Sequence, residues 1–563
     1  MPNVVYLLLR RMRTPLVVLI LTYAVSVLGL VLIPGVDAAG HPWRMDFFHA
    51  FYFISFMGTT IGLGEIPYAF TDAQRLWTIV AIYATVVAWL YAIGALLAMI
   101  QDPAFRRVVR HAAFVRAMRR IGEPFYLVCG YGDTGSMVVR ALDDRGMRAV
   151  VMDIDQSRID ALEVEDYHLF VPGLCADATD VDALRDAGLG RRNCLGVLSL
   201  TNDDEANVAV ALAVKLIAPE TEVICRAEHE DAVANLASFG TDHIVNPFET
   251  FANRFAMAIH SPSMYLIYEW MTTTSRTLPD RVLRPPRGMW VLCGFGRFGK
   301  AVRKYLSFEG VQTTVIEADP AATAPPEGSV HGRGTEAVTL REARIEDAVG
   351  VIAGTDNDAN NLSIVITARE LNPELFTAAR QNHRRNDPMF EAARLDLVMQ
   401  PGTIIARTIV ALITSPLLAD FLRLARQRDD DWANVLVSRI SGLIRDEAPD
   451  TWVVDITSID APALTDALRA GQTVTVGVLG RDPRDRERAV PGMVLLLARD
   501  GEELLVPDED APLRTGDRLL FCGHRQARHS LSWLTRNHNA LSYVLTGAER
   551  PSGYLWRRLA GDR

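Results

Sequence analysis

Two stretches of this chain carry no charge over a length that matches the thickness of a bilayer. Leu16 to Pro34 is 19 residues without an ionisable acid or base, and Leu76 to Ile100 is 25. At ~1.5 Å rise per residue the shorter makes a helix of roughly 28 Å, about one hydrocarbon core. Apolar residues make up 49 % of the chain, high for a wholly water-soluble protein. A cleaved signal peptide is the other reading of the first run. The run is long for that role, and Leu32-Ile33-Pro34-Gly35 is a poor small-x-small cleavage site, so a retained span is favoured.

Between the runs lies an aromatic stretch, Trp43 to Thr60, with Phe47, Phe48, Phe51, Tyr52, Phe53 and Phe56. It is too short and interrupted to span, and it reads as a re-entrant helix. It leads into Thr60-Ile61-Gly62-Leu63-Gly64-Glu65. Glycine at alternate positions opens backbone conformations closed to other residues. A ring of such strands lines a pore with carbonyls that replace an ion's water shell, and the negative end of the preceding helix favours a cation. An ordinary loop explains Thr-x-Gly-x-Gly alone; the flanking spans favour the pore. These residues resemble the potassium-channel selectivity filter, T-V-G-Y-G-D, with Thr60, Gly62 and Gly64 matching, Ile61 conservative, Leu63 for the aromatic and Glu65 for Asp. The resemblance implies K+ as permeant ion and four copies around one axis.

Gly94, in the second run among Ala92, Ala95 and Ala98, reads equally as a gating hinge or as a close helix–helix contact. Arg10, Arg11 and Arg13 precede the first run; Arg106, Arg107, Arg110, Arg116, Arg119 and Arg120 follow the second. The loop between them has Arg44 and Arg75 against Asp37, Asp46, Glu65 and Asp72. The positive-inside rule therefore places both termini in the cytoplasm and the 60–65 loop outside, in a multi-pass protein of the inner (plasma) membrane. Residues 102–120 read as a basic helical linker.

At Phe125 the pattern changes. Phe125 to Cys129 is strand-like, Gly130-Tyr131-Gly132-Asp133-Thr134-Gly135 follows, and Ala149 to Met152 forms a second strand ending in Asp153. Strand, G-x-G-x-x-G, helix, strand and an acid about 20 residues on is the dinucleotide-binding fingerprint in its required setting. The glycines admit a pyrophosphate at a helix N-terminus. Asp153 is placed to accept from a ribose and to repel a 2′-phosphate, which favours NAD(H) or another adenine nucleotide.

The unit recurs. Trp290 to Cys293 leads into Gly294-Phe295-Gly296-Arg297-Phe298-Gly299, and Thr314 to Ile316 ends at Glu317. Gly130 to Gly294 and Asp153 to Glu317 share the offset 164, whereas Thr201 to Thr355 and Ser261 to Ser415 share 154. Two tandem Rossmann domains with a deletion in the second account for this. Cys175-Ala176-Asp177-Ala178-Thr179-Asp180 in the first becomes Gly332-Arg333-Gly334-Thr335-Glu336 in the second, with Arg333 where Asp177 stood. The two sites therefore differ in ligand or occupancy.

These stretches, with Leu200 to Asn207 and Phe239 to Pro247, resemble the RCK (KTN, TrkA-N-like) domains that regulate potassium channels and transporters. The chain is thus similar to prokaryotic channels with two transmembrane helices, tandem RCK domains and one RCK C-terminal subdomain. The resemblance implies nucleotide binding at both glycine-rich loops and helices, Phe251–Met271 and Thr403–Leu424, that swap between neighbours. Some members bind calcium through an A-E-A-E segment. Arg226 stands where its first glutamate would be, so no calcium site carries over and no metal site is expected. The G-D-R-L-L-F run at 516–521 resembles the C-terminal subdomain.

The expected fold is an α-helical membrane pore followed by two α/β Rossmann-like domains and a small α+β subdomain. The expected division is a pore domain at 1–101 (spans 16–34 and 76–100, pore helix 43–60, filter 60–65), a linker at 102–122, a first RCK N-domain at 123–255, a crossover helix and linker at 256–286, a second N-domain at 287–405, a crossover helix at 406–429, the C-subdomain at 430–525 and a peripheral tail at 526–563. The expected function is a ligand-gated potassium channel working as a homotetramer in the lipid bilayer. Leu63 keeps open a non-conducting or weakly selective nucleotide sensor. A membrane-anchored NAD-dependent oxidoreductase fits less well, because Lys215, Lys300 and Lys304 are the only lysines and none sits in a Tyr-x-x-x-Lys. The net charge of −10 argues against nucleic acid. Six scattered cysteines suit a reducing compartment.

Overall fold

The computed structural model describes residues 4–62, 64–272, 283–444 and 447–548. Contacts divide the chain into two units, Met1–Ile121 and Gly122–Arg563.

In the first unit, helix α1 runs from Val4 to Leu32, α2 from Phe47 to Gly58, α3 from Asp72 to Gln101 and α4 from Pro103 to Arg120. Helices α1 and α3 each contain a segment long and apolar enough to cross a membrane, Arg10–Leu32 and Asp72–Gln101. Both helices start earlier than the charge-free runs. The arginines near the N-terminus are good helix formers and continue α1 through Pro15. Thr71 is the N-cap of α3, in a reciprocal capping box with Gln74. The re-entrant helix is shorter than expected: Asp46 caps it by accepting the His49 N–H at 2.7 Å, and Trp43 belongs to a small hairpin of Gly35–Val36 with Pro42–Trp43. Phe53, Ile54 and Phe56 bury one side of α2 against Val27 and Leu30. Gly29 lets α1 close on α3: a Cβ there would lie 2.0 Å from the Trp77 ring. The Trp77 indole then donates to the Ser26 carbonyl at 3.0 Å. Their other faces stay apolar and exposed, with Ile20, Tyr83 and Leu90 on the surface.

The second unit holds two parallel sheets of one topology. Strands β1 (Phe125–Cys129), β2 (Arg148–Asp153), β3 (Gly173–Cys175), β4 (Cys194–Ser199), β5 (Glu222–Arg226) and β6 (His243–Val245) lie in the order β3-β2-β1-β4-β5-β6. Strands β7 (Trp290–Cys293), β8 (Thr313–Glu317), β9 (Val330–His331), β10 (Gly350–Ala353), β11 (Phe376–Arg380) and β12 (Leu397–Met399) repeat it as β9-β8-β7-β10-β11-β12. This is the doubly wound dinucleotide-binding order, with its crevice at the switch between β1 and β4. β1 and β7 are buried along their whole length, as a strand covered on both faces must be. The deletion in the second half falls partly after β8. Helix α5 (Asp133–Asp143) has a full counterpart, but α6 (Gln156–Val164) shrinks to the single turn Pro320–Thr323.

After each sheet the chain leaves its own half. Helix α7 (Pro247–His260) continues, past a break at Ser261, as α8 (Pro262–Thr272). Helix α9 (Arg297–Phe308) follows the second glycine-rich loop, and α10 (Pro401–Thr414) continues as α11 (Pro416–Ala425). Phe248, Phe251, Phe255 and Ile259 of α7 pack into the second half, with Trp290, Phe298 and Val302. Ile405, Ala406 and Ile409 of α10 pack into the first, with Val138, Val139 and Leu142. The neighbours that exchange helices here are the two halves of one polypeptide. At the crossing, Arg254 meets its own repeat counterpart: its Nη2 donates to Thr408 Oγ1 at 3.3 Å and to the Tyr268 hydroxyl at 2.9 Å.

The C-terminal region forms a four-stranded antiparallel sheet of Asp450–Asp455, Arg518–Gly523, Gly492–Arg499 and Glu502–Leu505, in that order. Asp517 of the G-D pair is structural. Its buried carboxylate takes Arg499 Nε and Nη2, both at 2.7 Å, and the Arg514 N–H at 2.8 Å. Helix α12 (Asp430–Leu443) joins α8 and α11 in a core with one face of the sheet. The segment expected as a peripheral tail is in part internal. Helices Arg525–Arg536 and His538–Thr546 bury Leu531, Leu534, Leu541 and Val544 against Trp452 and Phe521. Apolar residues at helical spacing on each helix drive this. Trp556 lies outside the described residues.

Candidate nucleotide cleft and pore loop

The first glycine-rich loop has the geometry its sequence implies. Gly130 has φ +101°, and a Cβ on Gly135 would sit 2.0 Å from the Gly130 carbonyl oxygen. Gly132 is different: its φ is −82°, and a Cβ would meet only the Arg158 guanidinium, at 3.5 Å. Two glycines therefore shape the turn and the third leaves open the approach to the N-terminus of α5. Asp133 and Thr134 begin that helix.

Asp153 is almost fully buried beneath the loop. Its carboxylate accepts the Tyr131 N–H at 2.6 Å, the Asp155 N–H at 2.8 Å and Arg158 Nη1 at 3.2 Å. A carboxylate offers about four lone-pair positions, so roughly one remains for a ribose. Asp177 accepts the Thr179 N–H at 2.9 Å, which shapes the turn that carries Ala178. Arg158, which sequence reasoning did not single out, comes from α6; its signal was an arginine five residues after the acid.

All these groups except Gly135 and Asp155 line one cleft of about 1170 Å³. Its far wall belongs to the second half: Arg297, Asp356, Arg380 to Arg384, and Gln400 to Thr403. The N-terminus of α10 thus faces the N-terminus of α5, with Gly402 so close that a Cβ would be 3.1 Å from Thr134 Oγ1. Two helix N-termini and several arginines converge there, an arrangement suited to phosphate. Arg297 Nη1 reaches across to Glu228 Oε2 at 3.0 Å, and Arg226 ion-pairs with the same carboxylate. Burial pulls the Arg380 guanidinium below its ordinary pKa, with Glu228 opposing.

The second glycine-rich loop repeats the backbone. Gly294 has φ +94°, a Cβ on Gly299 would lie 2.1 Å from the Gly294 oxygen, and Glu317 accepts the Phe295 N–H at 2.5 Å. The surroundings differ. Phe295 and Phe298 are buried, Gly296 faces open space, and Arg297 belongs to the cleft of the first half. Arg333 is exposed.

In the membrane unit, Thr60, Gly62 and Gly64 take positive φ, at 65°, 67° and 98°. Left-handed backbone at alternate residues is the geometry that a carbonyl-lined strand needs. Ile61 is exposed, and Leu63 lies outside the described residues. Glu65 is tied back to α3, accepting Arg75 Nε at 2.9 Å and the Phe70 N–H at 2.8 Å. A Cβ on Gly94 would meet nothing within 4 Å, so this glycine serves no close contact among the described residues.

Residues 16–102 match the ion-channel family, and residues 126–247 and 290–401 each match the TrkA-N domain. Potassium channel protein 1 of Methanocaldococcus jannaschii is 26 % identical over 237 residues, 42 % of this chain and 69 % of that protein. Probable potassium channel protein 2 of the same organism is 26 % identical over 140 residues, 24 % of this chain and 41 % of that protein. Among solved structures, one described as the GsuK channel bound to NAD aligns over 94 % of this chain and 99 % of its own, at 15 % identity and a TM-score of 0.45. Residues 16–102 therefore match an ion-channel domain, and residues 126–247 and 290–401 match two TrkA-N domains in tandem.

Proposed function

We propose that this protein is a potassium channel gated by an adenine nucleotide, NAD(H) or a relative, bound between its two Rossmann halves. The observation that carries this is the single cleft in which the loop Gly130–Gly135 faces Arg297, Arg380 and the N-terminus of α10. A ligand there touches both halves at once. It favours whichever arrangement of the halves brings those contacts together, and only that difference in affinity does work. Residues 102–122 join this unit covalently to α3, the span that follows the filter. Thr60 to Glu65 serve as the filter, and Gly94 is the bending point of α3; the open space around its Cα supports that assignment. Four chains form the pore, with both termini and the RCK domains on the cytoplasmic side of the inner membrane. The pore domain is 1–101, the two N-domains are 123–255 and 287–405, and the C-terminal subdomain runs past 525 to include its two last helices.

Ion flux from reconstituted liposomes tests this, with potassium or sodium gradients and with NAD, NADH, ADP, AMP or ATP inside and out. The expected result is potassium-selective flux changed by at least one nucleotide and insensitive to it in Gly132→Val. Flux unaffected by every nucleotide, or no flux from tetrameric protein, refutes the reading.

A further inference from the structure

We infer that each chain binds one nucleotide and not two, because the second Rossmann half is sealed at the place where the first is open, by the Phe248 ring. The inference rests on the nucleotide reading of the first cleft.

The repeat offsets allow a position-by-position comparison. Thr134, Asp133, Arg226 and Gly402 all line the first cleft. Their counterparts in the second half are Phe298, Arg297, Arg380 and Phe248. Arg297 and Arg380 face the first cleft, and on the side of their own loop the four close on one another. The Phe248 and Phe298 rings are 6.1 Å apart, and each side chain is 1 % exposed. The Arg297 guanidinium lies 5.7 Å from the Phe248 ring centre and that of Arg380 lies 4.8 Å from it. One ring therefore fills the gap between the counterparts of Asp133 and Arg226. Removing it costs the contacts of an aromatic held between cations, so a ligand does not displace it cheaply.

The neighbouring residues are adapted to the plug. Gly354 stands where the first half has Leu200, and a Cβ on Gly354 would lie 2.4 Å from the Phe298 ring. Phe298 thus occupies room that a leucine takes in the first half. A second, independent difference points the same way. The wall formed in the first cleft by Arg158, Ala161 and Glu165 comes from α6 and the residue after it, and in the second half that helix is the single turn Pro320–Thr323. The second glycine-rich loop has become a strut. It keeps its backbone, anchored on Glu317, and lends Arg297 to the cleft of the other half.

Equilibrium dialysis of the purified full-length protein against NAD and, separately, ADP counts the sites. Two variants assign them. Gly132→Val and Gly296→Val both place a side chain at negative φ with no backbone atom within 4 Å of the new Cβ, so both fold. One nucleotide per chain is expected, with affinity at least about a hundredfold weaker in Gly132→Val and unchanged in Gly296→Val. Two per chain, or weakening in Gly296→Val, overturns the single-site inference and leaves the nucleotide reading standing. No binding of either probe to the wild-type chain overturns both.

Discussion

In the first half Gly402 reaches over to Thr134; in the second Phe248 reaches over to Phe298. Both reaching residues sit at the second position of an exchanged helix, and both helices arrive from the other half. The sheets beneath have one strand order, the loops have the same positive φ at their first glycine, and each acid holds the N–H that follows that glycine. The fingerprint that a Rossmann half carries in its own sequence therefore sets the loop, while the opposite half decides whether there is space in front of it.

The largest test of this comparison converts one half into the other. Gly402→Phe puts a ring where a Cβ already lies 3.0 Å from Met137 Cε. It is expected to weaken nucleotide binding by at least about a hundredfold, since overfilling a packed site costs about 1–3 kcal/mol even before the ligand is excluded. Dialysis with NAD measures it, and retained affinity would mean that the ligand does not enter between Gly402 and Thr134. Next are the two acids. Asp153→Ala leaves the buried Tyr131 N–H unpaired, a loss of about 1–3 kcal/mol, and removes an acceptor from the cleft, so both denaturant midpoint and NAD affinity fall. Glu317→Ala strands the Phe295 N–H in the same way, but lowers stability alone. Equal effects on affinity would break the comparison.

Arg297→Ala separates the strut from the cleft. Losing a charge-assisted contact is worth about tenfold in affinity for an anionic ligand, with ADP titration as the readout. The smallest effect concerns a hydrogen-bonded pair unique to the first half. Asp143 accepts the His168 and Leu169 N–H groups at 2.8 Å and meets His168 Nδ1 at 2.9 Å; the counterpart of Asp143 is Ser307. The hydrogen bond that His168 Nδ1 donates to Asp143, with the carboxylate's charge, raises the His168 pKa. Burial pushes the Asp143 carboxyl up, but the donated hydrogen bonds outweigh it and hold it below its ordinary range. A raised histidine contributes stability that is fully present below its unfolded pKa and fades as pH climbs through the folded one. A lowered carboxyl contributes above its unfolded pKa and fades as pH falls through the folded one. Protection of the 165–170 amides against hydrogen exchange, taken relative to the intrinsic rate at each pH, is therefore expected to be greatest between these limits, and the His168→Ala variant to lose the alkaline limb.

Much of this was legible in the sequence. The charge-free runs, the paired fingerprints and the acids of β2 and β8 declare themselves through composition and spacing that hold within a few dozen residues. That α7 and α10 leave their own half was implied by the resemblance alone; that each covers the other half of the same chain was not legible, because an apolar helix face does not say which sheet it covers. The pairing of Phe248 with Phe298 was hidden for the same reason: the offsets align Phe248 with Gly402, but neither contacts its own half's loop. Residues 526–546 looked peripheral because basic residues such as Arg528 and Arg536 stand out in the composition, while Leu531, Leu534, Leu541 and Val544 hold the buried face. Arg297 was assigned to the second loop by position, and its guanidinium works at the first.

The helix exchange has a bearing on assembly. When two separate chains trade such helices, their union dissolves on dilution. Here the partners are tethered, at an effective concentration of order millimolar or above, so this interface forms in every molecule however scarce the protein is. In any ring built from four such chains, half of the joints between Rossmann halves are thereby guaranteed at synthesis, and only the remainder answer to how many copies the membrane holds.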